Sequence, residues 1–291
     1  MMVVGMEGAV KEIGARLREL AQAVEGAGGQ TLWLVPLAAL RQVAGEHAVS
    51  ERDVEVAALQ ERLLPARYQR SLGTAGWEGQ LALLRSTVGI VGAGGLGGWI
   101  IEALARMGVG RIIVIDGDVF GENNLNRQAL ATEANLGQSK VEAARQRVAQ
   151  VNSAVEVVVH QLQVDEEQMV HLLRGSDVIV DALDALPTRL QLQRAARRLN
   201  RPMVHGAIAG FVGQVMTILP GDRGLEGLYG DGRVPERGIE VQWGNPAATP
   251  MMVAAWEVQE VIKLLTGRGQ PLRNRLLFMD SESGTVDLLT V

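Results

Sequence analysis

Gly92-Ala93-Gly94-Gly95-Leu96-Gly97 lies between an apolar run, Val88–Val91, and a helical pattern, Trp99–Met107. A strand, a glycine turn and a helix make the layout that binds a nucleotide. Glycines admit phosphates close to the backbone, and the helix start offers free N–H groups and a positive dipole end. Alone, this motif suits an NAD-dependent dehydrogenase equally well. Asp116 closes the next predicted strand, 24 residues past Gly92, where an acid accepts hydrogen bonds from ribose hydroxyls in ATP and NAD alike. Arg127 and Lys140 discriminate between the two. A dehydrogenase holds a pyrophosphate mainly on backbone N–H groups, whereas two separated cations suit a triphosphate that loses pyrophosphate, because charge grows on the leaving group. Asp181 and Asp184 follow the apolar run Val178-Ile179-Val180, at the sheet edge where such folds hold ligands. A carboxylate facing phosphates there is a natural Mg²⁺ ligand. Asp184 is the expected ligand and Asp181 a local structural acid. The set points to ATP and to activation of a carboxylate.

Each residue also has a bland alternative. Arg127 and Lys140 would be surface cations, Asp116 a solvated or capping acid, and Asp184 the cap of a helix beginning at Thr188. It is the order of the whole set that favours chemistry. The four histidines are scattered, and His205 reads best as a satisfied structural histidine.

The elements that must position these residues alternate. Strands are predicted at Val88–Val91, Arg111–Asp116, Val155–Gln161, Val178–Asp181, Met203–His205 and Gly213–Leu219, with helices at Trp99–Met107, Ser139–Val151, Glu166–Leu173 and Thr188–Leu199. This alternation implies an α/β fold: a Rossmann-like, mostly parallel sheet with helices on both faces. Residues 221–248 read as a long loop, Met251–Thr266 as a helix, and Leu276–Asp280 with Thr285–Val291 as a final strand pair turning at Ser283-Gly284. Residues 66–291 therefore make one domain.

Residues 1–65 read as a helical extension. Val10, Ile13, Leu17, Leu20 and Val24 recur at helical spacing, a second helix is expected over Leu37–Ala44, and Ser50 with Asp53 caps a third that runs to Leu64. Helix, turn, helix would suit DNA, but residues 37–65 carry an acidic surplus, which is wrong for phosphates. A packing or partner-docking appendage is the better expectation.

Composition narrows the classes further. A net charge of −5 argues against a nucleic-acid partner. No apolar stretch reaches the ~18 residues of a membrane span, and no secretory signal is visible, so a cytoplasmic protein is expected. There are no cysteines, which removes disulfides, Cys-ligated zinc and a thiolate nucleophile.

Taken together, the chain from Arg67 to Val291 resembles the MoeB/ThiF/HesA family, prokaryotic relatives of ubiquitin-activating enzymes. The resemblance rests on Arg67-Tyr68-Gln69-Arg70, Gly92–Gly97, Gly108-Val109-Gly110 and Asp116-Gly117-Asp118. It continues through Asn124-Leu125-Asn126-Arg127-Gln128, Gly137-Gln138-Ser139-Lys140, Asp181-Ala182-Leu183-Asp184 and Gly213-Gln214-Val215. It implies an adenylyltransferase that binds Mg-ATP and the C-terminal Gly-Gly tail of a small β-grasp (ubiquitin-like) sulfur carrier protein. By position, Gly92, Gly94, Gly95, Gly97, Asp116, Asn124 and Gln128 would bind the nucleotide, Asn124, Arg127 and Lys140 its phosphates, and Asp184 Mg²⁺. Arg70 would act as an arginine finger across a homodimer. Many members hold zinc on two Cys-x-x-Cys pairs or use a catalytic cysteine. This sequence has neither and is expected to stop at the adenylate. Adenylation of a peptide C-terminus or of a tRNA-bound carboxylate stays open, as does the NAD-dependent dehydrogenase.

Overall fold

The computed structural model describes residues 2–26, 28–230, 234–235 and 238–291, and it contains two sheets of different size. The smaller lies within the first 65 residues. Helix α1 (Met2–Leu20) leads into a hairpin of β1 (Gln22–Glu25) and β2 (Thr31–Val35), followed by α2 (Leu37–His47), α3 (Glu51–Gln60) and the short β3 (Leu64–Pro65). Periodicity predicted helices alone here, so these strands are a correction. Val24 continues the spacing of Leu17 and Leu20, yet it pairs with Leu32 across the hairpin, and Gly29 takes φ +76° in the turn. Strands this short leave no period-2 signal strong enough to compete. Helix α3 starts as expected, with Ser50 Oγ accepting the Asp53 N–H at 3.1 Å. It ends at Gln60 rather than Leu64 because Leu64 pairs with Leu34 in β3. Ile13, Leu17, Leu40, Val43, Val54 and Leu63 give this module a core of its own.

The larger part follows as α4 (Leu72–Arg85), β4 (Thr87–Val91), α5 (Gly95–Met107), β5 (Arg111–Ile115), α6 (Lys140–Val151), β6 (Glu156–His160), α7 (Glu166–Leu172), β7 (Val178–Asp181) and α8 (Leu186–Arg198). Then come β8 (Met203–Ala209), β9 (Val212–Ile218), α9 (Leu225–Tyr229), α10 (Glu240–Trp243), α11 (Ala248–Thr266), β10 (Arg275–Asp280) and β11 (Thr285–Thr290). Its eight strands run in the order β11-β10-β9-β8-β7-β4-β5-β6. The segment β8-β7-β4-β5-β6 is parallel, and β9, β10 and β11 add antiparallel pairs.

The apolar runs explain the parallel half. Ile112 and Val114 of β5 pack with α5, α6 and α11 on one face, while Ile113 and Ile115 pack with α7 and α8 on the other. A strand buried on both sides needs no polar alternation. The antiparallel half follows from connection length. Only Gly210 and Phe211 join β8 to β9, and a parallel return would need a crossover. Helix α4 had no sequence forecast. Gly73, Gly76 and Gly79 weaken its propensity, and Gly76 breaks it with φ +71°. Within 221–248, α9 and α10 interrupt the expected loop, and residues 231–233 and 236–237 lie outside the described residues.

Tyr68, fully buried, joins the two parts. Its hydroxyl donates to Glu55 Oε2 of α3 at 2.8 Å and accepts from Asn152 Nδ2 at 3.0 Å. No described helix is long and apolar enough to cross a membrane.

Candidate active site

A cavity of about 720 Å³ opens along the C-terminal ends of β4, β5 and β7 and runs on over β8, β9 and β10. The glycine turn forms its floor at one end. Gly92 takes φ +101°, donates its N–H to Ile115 O at 2.8 Å, and would drive a Cβ to 2.3 Å from Ala182 O. A Cβ on Gly97 would sit 1.9 Å from Gly92 O. Gly92, Gly94 and Gly95 line the cavity. Gly97 does not, and it serves the close packing of α5 on the turn. Gly95 and Leu96, the first residues of α5, line this end, and no side chain caps the N–H groups of that turn.

Asp116 and Lys140 sit beside the turn. Asp116 accepts the Ala93 N–H at 2.7 Å and the Asp118 N–H at 2.8 Å. Burial pushes its carboxyl above the usual range, against the opposing pull of Lys140. Each oxygen keeps a second lone pair for a ligand hydroxyl. Lys140 opens α6 and is buried, 6% exposed, with Nζ 2.9 Å from Asp118 Oδ2. Gln163, a cavity residue with no sequence signal, donates to Asp118 Oδ1 at 3.2 Å and steadies the pair.

Arg127 lines the cavity over Gly95, its Nη1 donating to Asn123 O and Asn126 Oδ1, each at 2.9 Å. Gln128 is buried beside it, with Oε1 lacking a hydrogen-bond partner. Asn124 does not line the cavity. Its Oδ1 accepts the Gly121 N–H at 3.0 Å, so it caps the loop that presents Arg127. The resemblance implied a phosphate contact for Asn124; its carbonyl oxygen is committed to the Gly121 N–H, and its Nδ2 donates to Asn123 Oδ1 at 3.3 Å.

Asp181 ends β7 and Asp184 follows it, and their surroundings differ. Asp184 is exposed, lines the cavity, and has no hydrogen-bond or ion-pair partner among the described residues. Helix α8 begins at Leu186 with Ala185 as its N-cap, so Asp184 is not the cap. Asp181 is fully buried; it accepts the Leu183 N–H at 3.1 Å and lies 2.7 Å from His205 Nδ1. His205 is indeed a satisfied interior histidine. Burial lowers its pKa, and Asp181 pulls the other way. Arg189 packs against Asp181, donates to Leu183 O and lines the cavity. Glu257 of α11 is buried close by, and burial, reinforced by the Asp181 charge, pushes its carboxyl far up. Sequence reasoning missed Arg189 and Glu257, since nothing in a helical arginine or glutamate announces burial.

Arg70 is exposed and lies outside the cavity of its own chain. Among the described residues, no three His, Cys, Asp or Glu side chains gather to hold a metal unaided. A single free carboxylate suits a cation that arrives on phosphates.

Residues 68–291 match the ThiF family. The SAMP-activating enzyme E1 of Haloferax volcanii is 37% identical, over 76% of this chain and 83% of its own length. The sulfur carrier protein adenylyltransferase of Thermus thermophilus is 35% identical, over 77% and 86%. Against MOCS3-2, an adenylyltransferase and sulfurtransferase of Zea mays at 35% identity, the chain spans 46% of that protein's length. The fold also matches the microcin C7 biosynthetic enzyme MccB in complex with N-formylated MccA. That match has a TM-score of 0.68 at 21% identity and covers 94% of this chain and 96% of that one.

Proposed function

The chain belongs to the ThiF family and is an adenylyltransferase, and from this premise we propose that it uses Mg-ATP to adenylate the C-terminal Gly-Gly carboxylate of a small ubiquitin-like sulfur carrier. The reading is carried by one observation: Arg127, Lys140, Asp116 and the free carboxylate of Asp184 line one cavity around the glycine turn.

The glycine turn and the α5 N–H groups hold the phosphate chain, and Asp116 accepts from the ribose hydroxyls. A carboxylate oxygen of the carrier attacks the α-phosphorus. A C–O–P mixed anhydride forms, the bond from the α-phosphorus to the bridging oxygen breaks, and pyrophosphate leaves with the electron pair. Arg127 and Lys140 neutralise the charge that grows on that leaving group. Asp184 would hold Mg²⁺, which would supply further positive charge to the phosphates. The rate comes from positioning and charge neutralisation. With no cysteine in this sequence, no thioester follows, and the activated carboxylate passes to a separate sulfur donor.

The protein acts as a homodimer, in which Arg70, outside its own cavity, reaches the partner's nucleotide. Mixing Arg70→Ala chains with Arg127→Ala chains should then restore activity in the heterodimers, each of which holds one intact composite site. Stable heterodimers without rescue would refute action across subunits.

A second reading, adenylation of a peptide C-terminus, has one observation in its favour: the N-terminal module lies outside the family match at 68–291 but within the 94% that the MccB fold covers.

Thermal stabilisation tests the nucleotide directly. A ligand binding only the folded state at ~100 times its dissociation constant adds roughly 2.7 kcal/mol. Mg-ATP should stabilise the protein, NAD⁺ and NADH should not, and Arg127→Ala should weaken the ATP effect. Asp184→Asn should remove the Mg²⁺ dependence. Stabilisation by the nicotinamide cofactors instead would sink the reading. Pyrophosphate exchange driven by a Gly-Gly carrier, by a free peptide or by neither then chooses the substrate.

A further inference from the structure

The cavity has two unlike ends. The glycine turn, Asp116 and Lys140 occupy one. The other, over β8, β9 and β10, is lined by the apolar Ile208, Val212 and Phe278, by the amide of Gln214 and the hydroxyl of Tyr229, and by the carboxylates of Glu240 and Asp280. A nucleotide seated on the glycine turn leaves this second end for the acyl substrate.

A chain of hydrogen bonds runs from buried Asp181 and His205 out to half-buried Gln214 and Tyr229. Asp181 Oδ2 lies 2.7 Å from His205 Nδ1, and both residues are fully buried. Gln214 Nε2 lies 3.3 Å from His205 Nε2 and 3.1 Å from Tyr229 Oη. The chemistry of each group sets its direction. The Asp181 carboxylate accepts, so His205 donates from Nδ1. A neutral imidazole that donates from Nδ1 accepts at Nε2. Only the amide nitrogen of Gln214 satisfies that acceptor, because the flipped amide would set oxygen against a lone pair. The same nitrogen has a second N–H, and Tyr229 Oη receives it. The Tyr229 oxygen is thereby the acceptor in this contact, and its own proton is left for the cavity.

We propose that Tyr229 donates its hydroxyl proton in a hydrogen bond to a carbonyl or carboxylate oxygen of the acyl substrate's C-terminal tail, with Gln214 and His205 as positioning residues that fix its direction. This rests on the adenylation reading for the identity of the substrate. Substrate C-termini are rich in such oxygens and flexible. A donor held by this chain selects one pose without paying to order itself.

The test uses a synthetic peptide ending in Gly-Gly, titrated into the full chain with a non-hydrolysable ATP analogue and Mg²⁺. Pyrophosphate exchange is measured alongside. Tyr229→Phe should bind the peptide about tenfold more weakly, the loss expected for one hydrogen bond to a charged group, with nucleotide affinity unchanged. Gln214→Glu removes the amide donor, so the Tyr229 proton turns inward and the same loss appears. The double variant should lose no more than either single one, a coupling that independent structural damage would not produce. Nitrogen chemical shifts of His205 should report a neutral ring protonated at Nδ1. Wild-type affinity in Tyr229→Phe overturns the proposal, as does a wild type that binds no peptide. Peptide binding without pyrophosphate exchange overturns the adenylation reading instead, and the comparison of affinities still decides the role of Tyr229.

Discussion

Replacing Lys140 with alanine should lower pyrophosphate exchange by about two to three orders of magnitude while the fold stays intact. Removing one preorganised donor aimed at developing charge costs roughly 10²–10³ in rate. Lys140 meets the conditions for that size of effect. It is 6% exposed, lines the cavity beside the glycine turn, and Asp118 holds its ammonium at 2.9 Å. The loss should fall mainly on kcat, because the charge it meets appears as pyrophosphate departs rather than when ATP binds. Stability should fall modestly, because the Asp116 carboxylate loses the opposing pull of Lys140. Asp118 has a 56% exposed side chain and regains water when its partner goes. Lys140→Arg should recover only part of the rate, since a planar fork does not fill the place of a compact ammonium. The check is steady-state exchange against ATP concentration with unfolding curves on the same samples. A kcat within a few-fold of wild type, in a folded variant, would remove Lys140 from the phosphate chemistry.

Glu55→Gln should change how stability depends on pH by about 3 kcal/mol between pH 5 and pH 8. Burial pushes the Glu55 carboxyl up to about 7 from 4.5, against the pull of Arg67 and the hydrogen bond from Tyr68. The native state therefore holds this proton across a range in which the unfolded chain has released it. Stability contributed by the protonated form is fully present below 4.5 and is lost as pH rises through about 7. The gap between those values is worth about 3 kcal/mol. Glutamine keeps the shape and an acceptor for Tyr68 but cannot ionise, so its stability should not decline in that window. His205, whose pKa is lowered by burial, tilts both proteins in the opposite sense and cancels in the comparison. Urea unfolding at pH 5 and pH 8 measures the difference, and parallel pH dependences would refute it. Glu55 belongs to the N-terminal module, and Tyr68 lies two residues before Arg70.

Much of the parallel half was legible because local pattern and tertiary demand coincide there. β5 reads as Arg111–Asp116 from its apolar run and folds as Arg111–Ile115, since burial on both faces asks for nothing but apolar residues. β8 was read as ending at His205 but runs to Ala209. Gly206 looks like a strand breaker. Its missing side chain instead makes room for the buried Glu257 of α11, because a Cβ there would lie 2.4 Å from the Glu257 carboxyl. The N-terminal hairpin was illegible because Val24 falls on a helical stripe by coincidence and owes its place to pairing with Leu32.

By itself, the sequence determined the chemistry on offer at the nucleotide end. Gly92, Asp116 and Asp184 lie within three residues of the ends of β4, β5 and β7, whose one destination in this fold is the cleft above the sheet, and Arg127 and Lys140 reach the same cleft from the loop after β5 and the start of α6. Tertiary structure alone decided which of the neighbouring residues line the cavity. It turned Asn124 into a loop cap and Gly97 into a packing contact, and it brought Arg189, Gln214 and Tyr229 to the cavity from α8, β9 and α9. Those contacts join residues far apart in the chain. Whether a polar side chain is buried, bonded or free depends on what the rest of the fold places opposite it, which no local spacing encodes.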